Sequence, residues 1–376
     1  MFSVFISPLL TIFIYIDIYI LHQTHIYSPI IMIRATASNT MFKKKVNHVQ
    51  ARFITSILPQ ILHHEWIVEG NVLTQRNQEE VRPESFVQHT VVFLHGLLGN
   101  GKNLRAPAKR ITALDPSIGV LNLDLRGHGL SHLHHSTFSH ATPTGKSITI
   151  QDCAQDVIHT VQHLGLTSSK SPVACVGHSF GGRVALSYHH SLLLDENTHH
   201  DIRPPKHCWI LDSVPGAVNS SVASVIHALD SIQPLTIQSK QELVTILTEE
   251  KKLTAAIAMW MTTNLRKGNS NTNPWEFTFD LNLAKEVLND FPKQDFMKLL
   301  SDIVVTSAKG DKQLSSRVHL VLAGLNADWT PEILTSLQDI QKKSNRLDLV
   351  TLKNANHWVH VDDLDGLVDA MKDDLI

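Results

Sequence analysis

The chain has 376 residues, 43% of them hydrophobic and 18% charged, with a formal net charge of −2. Such a length and apolar share suit one large domain with insertions, or two small ones, around a substantial core. The near-neutral charge excludes a face-wide basic surface for nucleic acid and an acidic disordered tail.

Three cysteines, Cys153, Cys175 and Cys208, form an odd set without metal-ligand spacing. They argue against a disulfide framework and for a reducing compartment. The 24 histidines are scattered, and the adjacent pairs (His63-His64, His134-His135, His189-His190, His199-His200) mostly fall in polar stretches. Neighbouring residues on one element do not converge on an ion, so neither a metal nor a cofactor is expected.

Residues 2–20 are an apolar run of near membrane-spanning length, interrupted by Pro8 and Asp17. No Lys or Arg precedes the run, so it lacks the basic region of a signal peptide. From Met32 the character changes: residues 32–64 carry Arg34, Lys43, Lys44, Lys45 and Arg52 and no acidic residue. That is the composition of an organelle transit peptide. Residues 1–64 are therefore expected to be a targeting or anchoring segment, or to lie upstream of a true start at Met32 or Met41. Membrane association is expected only if residues 2–20 are a real anchor.

From residue 65 to 376 short β-rich runs alternate with helical stretches, the pattern of a mostly parallel sheet covered on both faces. The predicted strands are HTVVFLHG (89–96), IGVLNLDL (118–125), PVACVGHS (172–179), HCWILDS (207–213), VHLVLAG (318–324) and LDLVTLK (347–353). Their continuous apolar character suits strands buried on both faces. One interval breaks the alternation. Residues 214–317 read as helical with no convincing strand, which predicts a helical cap over the carboxyl ends of the strands, where open α/β sheets hold their sites. The polar stretch 195–206, with a proline pair, reads as a surface loop.

The strongest chemical signal is Gly177-His178-Ser179-Phe180-Gly181-Gly182, between a predicted strand and a predicted helix. Gly-x-Ser-x-Gly in that context is a nucleophile elbow: a strained turn lifts the Ser179 hydroxyl above the sheet, and the glycines make room for it. A serine hydroxyl needs a base near neutral pH. Chain order predicts a histidine after the last strand, where Asn356-His357-Trp358-Val359-His360 stands. His357 is the candidate base and His360 its rival. Two acids compete to orient it: Asp212, ending the strand next after the nucleophile strand, and Asp328, near the usual place after the penultimate strand. Asp212 is favoured because geometry defines the role. Asp328 otherwise reads as a cap for the helix starting near Pro331.

An oxyanion hole needs backbone N–H groups beside the nucleophile. The loop His95-Gly96-Leu97-Leu98-Gly99-Asn100 offers Leu97, and the elbow offers Phe180. A phosphate cradle does not fit this glycine loop, since no Gly-Lys-Ser/Thr follows at the required spacing. Asp124-Leu125-Arg126-Gly127-His128-Gly129 reads as scaffold, with Arg and Asp holding loops together.

In order, HGLLGNGKNL, DLRGHGLS, VGHSFGG, LDSVPG, TTNLRK and NANHWVH resemble the α/β-hydrolase superfamily, and within it the family of alpha/beta hydrolase domain-containing protein 11 and its bacterial esterase relatives. The resemblance spans about residues 89–370, with the His-Gly-Leu loop and Asn264-Leu265 its more diagnostic parts. It implies the α/β-hydrolase fold, an acid equivalent to Asp212, and hydrolysis of short or medium acyl esters or thioesters. In eukaryotes it implies a mitochondrial address. The family's Gly-Gly-Asn-Ser segment is here Gly324-Leu325-Asn326-Ala327, which removes a hydroxyl from near the histidine and puts the network around the acid in question. The expected activity is that of a serine esterase or thioesterase acting on small-molecule acyl substrates through an acyl-enzyme. Acyl transfer is an alternative, since His357-x4-Asp362 matches a pattern of some acyltransferases. A non-enzymatic receptor or scaffold on the same fold is another.

Overall fold

The computed structural model describes residues 15–21, 30–36, 59–73, 87–135, 147–194, 201–216, 220–232, 236–270, 273–306 and 316–375. They fall into two compact units. In the first, β1 (Tyr15–Leu21) pairs antiparallel with β2 (Ile30–Thr36). The rest of the 2–20 run, and most of the basic stretch 32–64, lie outside the described residues. Among the described residues no helix is long and apolar enough to cross a membrane.

The second unit is built on an eight-stranded sheet. Its strands are β3 (His64–Val68), β4 (Asn71–Leu73), β5 (His89–Leu94), β6 (Ile118–Leu123), β7 (Ala174–His178), β8 (His207–Leu211), β11 (Arg317–Ala323) and β12 (Leu347–Leu352). The insert adds β9 (Leu265–Ser270) and β10 (Asn273–Phe277), which pair with each other. The order across the sheet is β12-β11-β8-β7-β5-β6-β3-β4. From β12 to β6 every neighbour is parallel; β3 and β4 add an antiparallel edge.

All six predicted strands are present. The residues of the first five are almost wholly buried, as helices cover both faces, while β12, at the sheet edge, is largely half-buried. Val91, Phe93, Val120, Val176, Leu211 and Val321 point into one layer with the helices Arg105–Leu114 and Leu364–Met371. The helices Ile150–His163 and Phe180–Leu194 pack against one another, the latter also on β7 and β8.

Two strand pairs differ from the sequence expectation. The β3–β4 hairpin was not predicted: its strands are short and edge-placed, with polar ends, so they lack the long apolar run of a central strand. The interval 214–317 was read as strandless, yet β9 and β10 form a hairpin within it. LRKGNS and NPWEF carry little apolar signal, and the hairpin is marked mainly by the Gly, Asn and Pro around its turn. The rest of the described insert is helical, at Ser220–Ile232, Lys240–Thr245, Ala255–Thr263, Leu281–Asp290 and Phe296–Ser301. It contacts the loop after β6 and the helix after β7: Asp280 N–H donates to the Gly127 carbonyl, and Arg183 donates to the Phe291 carbonyl.

Candidate active site

Ser179 is the single residue between β7 and the helix Phe180–Leu194, and its φ of 54° lies in the left-handed region that non-glycine residues avoid. The turn is held from both sides. Ser179 N–H donates to the Leu211 carbonyl of β8 at 2.9 Å, and its own carbonyl accepts from Gly182 N–H at 2.9 Å. The motif glycines have steric causes: a Cβ on Gly177 would collide with the Gly181 carbonyl, and one on Gly181 with the Leu94 carbonyl of β5. Only bare backbone lets strand and helix meet this closely.

Ser179 opens into a cavity of about 320 Å³ that is also lined by His357 and Asp212. His357 lies in the loop between β12 and the helix Val359–Asp362. Its Nδ1 stands 2.8 Å from Asp212 Oδ2. An ionised carboxylate only accepts, so Nδ1 carries the proton and Nε2 is left as the acceptor nitrogen. Asp212 follows β8 at a φ of 45° and is 1% exposed. Its Oδ1 accepts from Ala323 N–H at 3.0 Å and Trp329 Nε1 at 2.6 Å, and its Oδ2 also accepts from Asn326 Nδ2 at 2.7 Å.

The substituted segment 324–327 therefore still supports the acid, through Asn326 and, beyond it, Trp329. Neither residue was singled out in the sequence. A tryptophan just beyond a strand end, needing an acceptor for its indole N–H, was the available clue. Asp328 also lines the cavity, but the Nδ1 of His357 is taken by Asp212.

Facing the elbow is the loop 95–100. A Cβ on Gly96 would stand 3.5 Å from Ser179 Cβ, so this backbone runs directly against the serine. The N–H groups of Leu97 and Phe180 donate to no acceptor among the described residues. Two buried histidines brace the loop. His95 donates from Nδ1 to the Gly96 carbonyl at 2.8 Å and accepts Leu125 N–H on Nε2 at 2.9 Å. His128 accepts Leu98 N–H on Nε2 at 3.1 Å and donates from Nδ1 to the Arg126 carbonyl at 2.8 Å. Burial pushes the His95 pKa down to about 4, and burial together with His95 pushes that of His128 to about 3. Both rings are thus neutral, as acceptor nitrogens must be.

The 124–129 segment performs the scaffold role read from its sequence. Asp124 Oδ1 accepts Gly101 N–H at 2.7 Å and Oδ2 accepts Leu130 N–H at 2.8 Å, while Arg126 forms a buried ion pair with Asp156.

His360, the rival base, is 4% exposed and stacks edge-on to His178, with ring centroids 4.5 Å apart. It does not line the cavity. Burial lowers its pKa to about 4. His178 donates from Nε2 to the His357 carbonyl at 2.8 Å, which ties the elbow to the histidine loop; in that role Nε2 carries the proton. Asp362, of the His-x4-Asp pattern, accepts Asn356 N–H at 2.8 Å and so orders the same loop. Among the described residues no three His, Cys, Asp or Glu side chains converge as a metal site would require. The three cysteines are buried thiols, with burial raising Cys208 to about 12.

The profile of the alpha/beta hydrolase family matches residues 91–370. The chain is 24% identical over 285 residues to the mouse (Mus musculus) protein named sn-1-specific diacylglycerol lipase ABHD11, covering 75% of this chain and 79% of that one. It is 35% identical over 96 residues to a Haemophilus influenzae protein assigned as an esterase/lipase. That match spans 26% of this chain and only 27% of the relative. Among solved structures, a marine microorganism esterase superposes with a TM-score of 0.55 at 19% identity, covering 83% of this chain and 98% of that one.

Proposed function

Since the chain belongs to the alpha/beta hydrolase family, we propose that it is a serine hydrolase of carboxylic esters or thioesters, working through an acyl-enzyme on Ser179. The observation that carries this reading is the 2.8 Å bond between His357 Nδ1 and the buried Asp212, with Ser179 strained into the same cavity. Ser179 Oγ attacks the acyl carbon while His357 Nε2 takes its proton. Asp212 keeps the imidazole in the required tautomer and stabilises the imidazolium that forms. The N–H groups of Leu97 and Phe180 receive the charge developing on the carbonyl oxygen. His357 then returns its proton to the leaving alcohol or thiol, and water releases the acid by the reverse sequence.

The walls from Val214, Pro215, Val222, Phe291, Ala327 and Ile333 suit a small or medium apolar acyl group. The names of the relatives, an esterase/lipase and a diacylglycerol lipase, agree with an ester substrate. In this reading residues 214–317 are a cap that encloses the acyl group. The composition of 32–64 and the family resemblance support a mitochondrial address, which import of a full-length fusion would test.

A fluorophosphonate probe provides the main test. The wild-type protein takes the label rapidly, and Ser179→Ala and His357→Ala lose both labelling and p-nitrophenyl acetate turnover. A folded wild-type protein that takes no label overturns the reading in favour of a receptor or scaffold. Labelling with an acyl group passed to added alcohol in preference to water assigns acyl transfer instead.

A further inference from the structure

Asn264 is a buried amide at the end of the helix Ala255–Thr263, and its backbone is held on both sides. Its N–H donates to the Met261 carbonyl at 3.1 Å, and its carbonyl accepts Thr278 N–H at 2.8 Å, just past β10. The side chain faces both ways: Nδ2 donates to the Trp260 carbonyl of its own helix at 3.5 Å, while the oxygen reaches out of the insert. Asn264 Oδ1 accepts from Asn100 Nδ2 at 2.8 Å, across 164 residues of sequence.

The Asn100 amide cannot turn over freely. Its Oδ1 accepts Lys102 N–H at 3.0 Å, capping the short 3-10 turn Gly101–Leu104, so its NH₂ must be the donor. Asn264 and Asn100 are 0% and 5% exposed, so water cannot replace either partner.

Asn100 closes the loop that carries Leu97, the oxyanion donor proposed above, and that loop is stiff. Leu98 sits at a φ of 60°, Gly99 N–H closes a turn onto the Gly96 carbonyl at 3.1 Å, and Leu98 N–H is held by His128. A shift at Asn100 is therefore passed on to Leu97. The insert also grips the other brace, because His128 forms a β-bridge with Phe279, one residue past Thr278.

We infer that Asn264 is a positioning residue: through Asn100 it sets the Leu97 N–H against the reacting carbonyl oxygen, which makes the insert part of the catalytic geometry as well as a cover. The inference rests on the oxyanion role of Leu97 proposed above. It separates from a purely structural role because a misplaced oxyanion donor weakens the transition state and leaves substrate binding alone.

The test compares full-length wild-type protein with Asn264→Leu, Asn264→Asp, Asn100→Ser and the Asn264→Leu/Asn100→Ser pair. Active sites are counted by fluorophosphonate titration. The readouts are kcat and KM for p-nitrophenyl acetate and Ki for a trifluoromethyl ketone, which mimics the tetrahedral intermediate. Asn264→Leu is expected to lower kcat per titrated site by about 30-fold, with KM within about twofold and Ki raised in step. Asn264→Asp keeps an acceptor for the Asn100 amide and recovers most of the loss. The double variant is no worse than its poorer single, the mark of two groups acting through one contact.

Wild-type kcat in folded Asn264→Leu overturns the inference, as does a rise in KM instead of a fall in kcat, or an aspartate variant as poor as leucine. If Asn264→Leu does not fold, Asn100→Ser removes the amide donor from the loop side while keeping an oxygen for the cap. It is then expected to lose about tenfold in kcat at unchanged KM, and unchanged kcat there is equally fatal. A wild-type protein that takes no label fails the serine reading itself, and this inference with it. Normal labelling with unaltered kinetics in the variants overturns the positioning role alone.

Discussion

The central sheet and the insert hold themselves in place in different ways. From β12 to β6 each strand is laddered to its neighbours along most of its length, and from β11 to β6 the covering helices bury nearly every side chain. The insert packs buried apolar side chains such as Phe296 and Leu300 near the helix Phe180–Leu194 and adds separate long-range polar anchors. Glu286 accepts Ile148 N–H at 2.7 Å, Asp290 accepts Ile150 N–H at 2.9 Å, Arg183 reaches Phe291 and Gln294, and Asn264 takes Asn100. The helix Ala255–Thr263 even leaves Met259 58% exposed. A substitution in the sheet is absorbed by many contacts. One at an insert anchor removes one of the few polar ties that fix that region's placement. The candidate site lies where the two meet, so the contrast can be broken or sharpened by experiment.

The largest effect is expected at the sheet end. Asp212→Asn should lower kcat by about 10⁴-fold, because an amide in place of the carboxylate favours the wrong histidine tautomer. Asp328→Asn should stay within about threefold, because His357 Nδ1 is bonded to Asp212 and not to Asp328. Steady-state kinetics on the two purified variants decide between the acids, and equal losses would remove the distinction drawn here.

Acid should act on the sheet and its loops before the insert. Burial lowers His95, His319 and His360 to about 4 and His128 and His189 to about 3. Their folded pKa values lie below the unfolded value of about 6.5, so unfolding takes up protons. Their contribution to stability is intact above pH 6.5 and is lost as the pH falls from there towards 4. Each protonating group contributes a slope of about 1.4 kcal/mol per pH unit in that window. Asp156, raised by burial to about 6, opposes them as a single group. The melting temperature should be level from pH 8 to 7 and fall steeply below 6. In the insert His227 is exposed, so amide exchange at low pH should show the loop 95–100 opening before the insert helices unwind.

Arg183→Met tests an anchor. The guanidinium also donates to the Val214 and Gly216 carbonyls, both at 2.7 Å, and stacks on Phe291 with its centre 4.4 Å from the ring. Losing it should cost about 1–3 kcal/mol in urea unfolding, since the buried Phe291 carbonyl is left without its donor. Faster exchange in residues 291–301 should accompany the loss. An equal rise in exchange throughout the sheet would argue against locally anchored placement.

A modest effect is expected at Trp329→Phe, which removes one of the donors on Asp212. About a tenfold loss of kcat with little change in the melting curve is expected, because three other donors remain. A loss as large as that of Asp212→Asn would make Trp329 indispensable to the acid.

Local pattern determined much of this molecule. The six buried strands were legible as continuous apolar runs, and Ser179 as the residue between two close-contact glycines; the contacts behind those signals lie within a few residues or on adjacent strands. His357 followed from its place after the last strand. Weak runs such as β3–β4 and the β9–β10 hairpin were missed because edge strands carry little apolar pattern. Tertiary structure alone decided the rest. Asp212 meets His357 because β8 lies beside β11, and that adjacency brings Ala323, Asn326 and Trp329 onto its carboxylate from more than a hundred residues away. The Asn100–Asn264 contact is of the same kind. A hydrogen bond between residues so distant leaves no periodicity or spacing in the chain, because only the folded sheet and the insert resting on it bring donor and acceptor within reach.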